Sequence, residues 1–94
     1  MTIFKMYDGR HVDLSKIVAV GGVVVYENLP QWSYFEVWFQ LMDLPLRFGV
    51  SDKFEGLEGE EFKTAVTSAV ETMEDGHAAL MAAWQSLANK MGEA

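Results

Sequence analysis

From Phe62 onward one set of positions recurs at helical spacing: Phe62, Val66, Ala69, Met73, His77, Leu80, Trp84, Leu87 and Met91, at intervals of 4, 3, 4, 4, 3, 4, 3 and 4. Only an α-helix brings such positions onto a single stripe. Glu58, Glu60 and Glu61 stand just before the stripe, where the positive end of a helix dipole favours carboxylates, and Met91-Gly92 supplies a stop. Gly76 lies inside the pattern, although glycine costs a helix interior about 1 kcal/mol relative to alanine. The stripe keeps its phase across Gly76, which a reversal of the chain would not require. One helix over 59–91 is therefore the expectation, with a kink or a break at Gly76 as the rival.

Residues 1–51 have a different period. Ile3, Phe4, Met6 and Tyr7 favour a strand, and Asp8-Gly9 is a hairpin signal because glycine takes positive φ without a Cβ clash. Residues 10–20 read as the return strand, open to a break near Ser15-Lys16, with Val12, Leu14 and Ile17 toward the core. After Gly21-Gly22, the β-branched run Val23-Val24-Val25 suits a strand buried on both faces. Pro30 marks a loop, residues 32–42 form the longest predicted strand, and residues 46–50 the last, with Leu46, Phe48 and Val50 on one face. The fold class expected is α+β: one domain over 1–94, an antiparallel meander of four to five strands followed by a long C-terminal helix packed on one face.

Alternation along 32–42 puts Phe35, Val37, Phe39 and Leu41 on one face and Trp32, Tyr34, Glu36, Trp38 and Gln40 on the other. The second face ought to meet water, yet it carries two tryptophans and a tyrosine. The helix raises a similar question. About 32 residues at ~1.5 Å each span roughly 48 Å, whereas a compact chain of this length has a radius of gyration near ~12 Å. Leu80, Trp84, Leu87 and Met91 are therefore expected to project beyond the sheet. Two surplus apolar surfaces, one at Trp32, Tyr34 and Trp38 and one at Leu80, Trp84, Leu87 and Met91, argue for self-association, most simply as a two-fold homodimer.

The charge is −7, from fourteen acids and seven bases. Asp52, Glu55, Glu58, Glu60, Glu61, Glu71, Glu74 and Asp75 face only Lys53 and Lys63 across residues 52–75, so nearly all the imbalance sits there. The seven bases are scattered, which disfavours direct nucleic-acid binding, since that needs clustered Lys and Arg. With no cysteine, disulfides, thiol nucleophiles and thiolate metal sites are excluded. No apolar run approaches the ~18 residues of a membrane span, and residues 1–11 lack a signal-peptide pattern. No membrane association and a cytoplasmic location are the expectations.

Three groupings have residue types that could carry chemistry. His11, Asp13 and Ser15 share a strand face, but side chains alternating along one strand project in parallel instead of converging as a nucleophile and base must. Glu74 and His77 form a single E-x-x-H, while di-metal bundles need two such motifs and two further glutamates. Gly56 and Gly59 lie among acids that would repel phosphate. No catalytic residue, metal site or cofactor is expected. In size, acidity and absence of catalytic motifs the chain is similar to small phage-encoded inhibitors of host defence, including anti-CRISPR proteins. That likeness implies a non-enzymatic module covering a basic, nucleic-acid-binding surface of another protein, in the host cytoplasm. A dimeric chaperone or adaptor, and a binder of small apolar ligands, are the alternatives.

Overall fold

The computed structural model describes residues 2–50 and 54–92, with helix side chains described through residue 90. It contains five short strands and one helix: β1 (Ile3–Lys5), β2 (His11–Asp13), β3 (Ile17–Val20), β4 (Tyr34–Phe39), β5 (Leu46–Gly49) and α1 (Gly59–Gly92). The fold class is α+β, with antiparallel pairing throughout. The single meander, however, is replaced by two sheets: a β1-β2 hairpin and a three-stranded sheet in the order β3-β4-β5.

The division follows from local chemistry at Asp13. Its carboxylate accepts from the Thr2 hydroxyl at 2.5 Å, from the Ser15 amide at 3.0 Å and from the Ser15 hydroxyl at 2.6 Å. Together these bonds hold its carboxyl below the usual carboxylate range, the Ser15 side chain contributing most. A side-chain cap of this kind starts a helical turn, and residues Leu14–Lys16 form a 3-10 turn that separates β2 from β3. Gly9 turns the hairpin with a φ of +92°, as the Asp8-Gly9 pair requires.

The predicted strand at Val23-Val24-Val25 is also absent. Val24 makes one isolated bridge to Tyr34, and Val24 and Val25 are exposed. A β-branched run buried on both faces needs a layer on each side of the sheet. Here α1 covers only one side, and beyond Gly21-Gly22 the run keeps only the Val24 bridge to β4.

The 34 residues of α1 at ~1.5 Å each span about 51 Å, close to the 53 Å long axis of the whole molecule. The helix passes Gly76 without a break. Elongation along it gives a radius of gyration of 15.1 Å, above the ~12 Å of a compact chain. Having two sheets instead of one lets the strands cover more of the helix. Phe4, Met6, Val12 and Leu14 join Leu80, Ala83, Trp84 and Leu87 in one continuous core with Phe35, Val37, Phe48 and Met73. The expectation that Leu80, Trp84 and Leu87 project free of the sheet is thereby corrected: Leu80 is fully buried, and Trp84 and Leu87 pack partly buried against the core. The Met91 side chain lies outside the described residues.

The hairpin is fastened to the free edge of β5 by two side chains that flank its turn. The Tyr7 hydroxyl donates to the Gly49 carbonyl, and Arg10 Nη2 donates to the Arg47 carbonyl at 3.0 Å. An unpaired strand edge is an invitation to foreign strands, and these two bonds occupy alternate carbonyls along it. Arg10 is steadied by Asp8 at 2.6 Å and lies 4.2 Å above the Phe48 ring.

Candidate protein-binding surfaces

The strand predicted over 32–42 is shorter, and its alternation holds only across Tyr34–Phe39: Trp32 ends the 3-10 turn Pro30–Trp32 before β4, and Leu41, expected on the core face, is fully exposed in the turn after it. Phe35 and Val37 are fully buried, and Phe35 stacks on Phe48 of β5 with ring centroids 5.4 Å apart. Phe39, the third core position, is only partly buried. Tyr34, Glu36 and Trp38 face away from the helix and differ in how they are covered. Register places Glu36 opposite Arg47 and Tyr34 opposite Gly49. From there the Arg47 guanidinium lies 3.9 Å over the Tyr34 ring while reaching Glu36 at 3.7 Å. Tyr26 packs against Tyr34 with ring centroids 6.2 Å apart, and its hydrogen bond raises the Tyr34 phenol above its ordinary pKa. Trp38 lies over the bare backbone of Gly21, where a Cβ would come within 3.3 Å of its ring. Trp32 is the exposed one, with 66% of its surface accessible against 37% for Trp38.

The outward aromatic face is thus partly closed by the chain's own side chains. Arg47 and Tyr26 cover Tyr34 and glycine seats Trp38, leaving Trp32 and part of Trp38 in solvent. Val18, displaced by the register shift between Ile17 and Ala19, adds an exposed valine on the neighbouring strand β3.

On the opposite side of the molecule the helix presents its acids. Glu60, Glu61, Glu71, Glu74 and Asp75 are all exposed, as are Glu55 and Glu58 before the helix. Asp52 lies outside the described residues. Among the described residues only Lys63 pairs with any of these acids, at 3.9 Å from Glu60 with both side chains in solvent. An exposed pair of that length contributes little, so the carboxylates remain an uncompensated field.

The remaining groupings serve the fold. Asp13 caps a turn and does not orient His11, which is exposed. His77 turns inward, meeting the Gly21 carbonyl through Nε2 at 2.9 Å and the Phe35 ring edge-on at 4.9 Å. Glu74, one turn away, stays in solvent, so the two do not converge on a common point. Among the described residues no group of three or more metal-ligating side chains comes together, and no helix is long and apolar enough to cross a membrane. Sequence reasoning missed the β4–β5 turn, where Leu41, Met42 and Leu44 are all exposed. The signal was present in Leu41-Met42-Asp43-Leu44-Pro45, an apolar run in a position that normally holds polar turn residues. No family model, curated protein or solved structure matches the chain.

Proposed function

We propose that this chain is a non-enzymatic, acidic protein-binding module that covers a basic, nucleic-acid-binding surface of another protein, in the manner of small phage-encoded inhibitors of host defence. The observation that carries this reading is the acidic side of α1. Glu60, Glu61, Glu71, Glu74 and Asp75 are exposed on a continuous helix, with a single weak partner in Lys63. A rigid rod of about 51 Å at ~1.5 Å per residue holds these charges in fixed order. Negative charge of this density raises the association rate with a basic partner and selects against anionic ones. A cytoplasmic site of action suits such a partner.

A second element of the reading is self-association. The exposed parts of Trp38 and Val18 lie on the sheet, on the side away from the acids, and Trp32 is exposed in the turn that leads into β4. Two copies meeting there would keep their like-charged helices apart, and aromatic residues are the side chains that most often anchor interfaces.

Parallel affinity captures test the main reading, with wild type and a Glu71→Gln, Glu74→Gln, Asp75→Asn variant as baits. The expected result is a nucleic-acid-binding protein retained by wild type, released by moderate salt and lost from the neutralised variant. Equal retention by both baits would contradict the role given to the acidic side.

A further inference from the structure

The three-stranded sheet has two edges, and only one of them is closed. Along β5, Tyr7 and Arg10 of the hairpin occupy the carbonyls of Gly49 and Arg47. The other edge runs from β3 through Gly21-Gly22 to Tyr26, and from Ile17 to Tyr26 it carries neither a charge nor a proline. Charges and prolines are the residues that usually guard an exposed edge against a foreign strand. Gly22, Val24, Val25 and Tyr26 are all exposed along it.

Half of the backbone groups in this stretch are already used. The Val24 amide donates to the Tyr34 carbonyl at 2.8 Å, and the Val24 carbonyl accepts from the Tyr34 amide at 3.0 Å. The Tyr26 amide turns the same way and donates to the Ser33 hydroxyl at 3.2 Å. Successive residues of an extended chain turn their N–H and C=O groups to opposite sides, so those of Val23 and Val25 point away from β4. Among the described residues no backbone or side-chain group bonds to them.

We infer that these groups pair with the same groups of a second copy, antiparallel about a two-fold axis between the two Val24 residues. The register is self-complementary. Val23 faces Val25 of the second copy, Val25 faces its Val23, and Val24 faces its Val24. Two N–H and two C=O groups from each copy then make four hydrogen bonds, and the two three-stranded sheets join into one. In the same register Tyr26 comes opposite Gly22 of the second copy and Glu27 opposite its Gly21, so the first acid beyond the run meets a glycine and not another acid. Each three-stranded sheet offers one such edge, because β5 is closed, and the assembly stops at two copies as an isologous contact does. Pairing of this kind needs no charge match between chains of −7. It sets both helices on one side of the joined sheet, where salt screens their acids from each other. The inference rests on the reading that the chain self-associates, and it places the seam at the sheet edge, beside Trp38 where it lies over Gly21.

Sedimentation velocity of three variants, with circular dichroism as the check on folding, tests it. Wild type should sediment as a dimer at tens of micromolar and more tightly as salt is raised. Val25→Pro removes an outward donor but no bond to β4, and a free strand edge tolerates proline. It should keep the fold and weaken the dimer at least tenfold. Val24→Lys and Val24→Glu each set like charges directly opposite across the axis, so each alone should be monomeric, and an equimolar mixture of the two should restore the dimer. A wild-type dimer unaffected by Val25→Pro, or a mixture that restores nothing, would overturn the inference and leave self-association standing. A monomeric wild type at these concentrations would overturn both.

Discussion

Gly76 and Tyr7 are packed so closely that a methyl group on the glycine would lie 2.9 Å from Cγ and 3.2 Å from Cβ of the tyrosine, and nearer still to its Cδ1. The tyrosine has little room to yield. Its hydroxyl is bonded to the Gly49 carbonyl, and its ring leans on Phe35 at 6.3 Å. Glycine is therefore in the middle of a long helix because the hairpin passes against the helix backbone there.

Gly76→Ala is expected to lower stability despite its better helix propensity. The gain of about 1 kcal/mol from alanine is set against an overpacking cost of roughly 1–3 kcal/mol. In a Tyr7→Ala background the clash is gone, and the same substitution should become stabilising. A double-mutant cycle by thermal unfolding reads the change of sign.

Phe35 and Trp38 belong to opposite faces of β4 and should respond differently to truncation. Phe35 is fully buried against Phe48 and His77, so Phe35→Ala is expected to cost about 3–5 kcal/mol and leave little folded protein. Trp38→Ala removes a ring that is partly in solvent over Gly21. It should leave the far-ultraviolet circular dichroism unchanged and weaken self-association. Equal loss of folded protein from the two variants would reject the outer face as a docking surface.

Tyr7 gives the fold an alkaline limit. Burial pushes its phenol up to about 12 from an ordinary 10.0, with the neighbouring Asp8 carboxylate adding to the shift. The folded chain thus keeps a proton that the unfolded chain releases. Its contribution is complete below about pH 10 and lost as pH rises toward about 12. Tyr7→Phe has no such proton. The stability difference between wild type and Tyr7→Phe should be constant from pH 7 to 9 and should shrink above pH 10, measured by urea unfolding.

Much of this architecture was legible because it is periodic. The helical stripe gave α1, the Asp8-Gly9 pair gave the hairpin turn, and alternation placed Val12, Leu14, Ile17, Phe35, Val37 and Phe48 in the core. What escaped depends on contacts distant in sequence. Gly76 reads as a helix weakness until Tyr7 is seen against it, and the coverage of Leu80 depends on strands splitting into two sheets at an Asp13 cap. The Val23-Val24-Val25 run misled because propensity favours a strand where tertiary structure supplies no second layer. The acidic surface was readable as charge, and the structure adds that, among the described residues, its helical members stand in solvent with only Glu60 near a base, Lys63.

Competition on a captured partner tests the central claim most directly. The purified partner is loaded with a labelled oligonucleotide and titrated with wild type or with the Glu71→Gln, Glu74→Gln, Asp75→Asn variant, and anisotropy is followed. Wild type is expected to displace the oligonucleotide at one chain per site, and the neutralised variant to need at least tenfold more protein. A ternary complex in which the partner holds the oligonucleotide and this chain together would contradict the account.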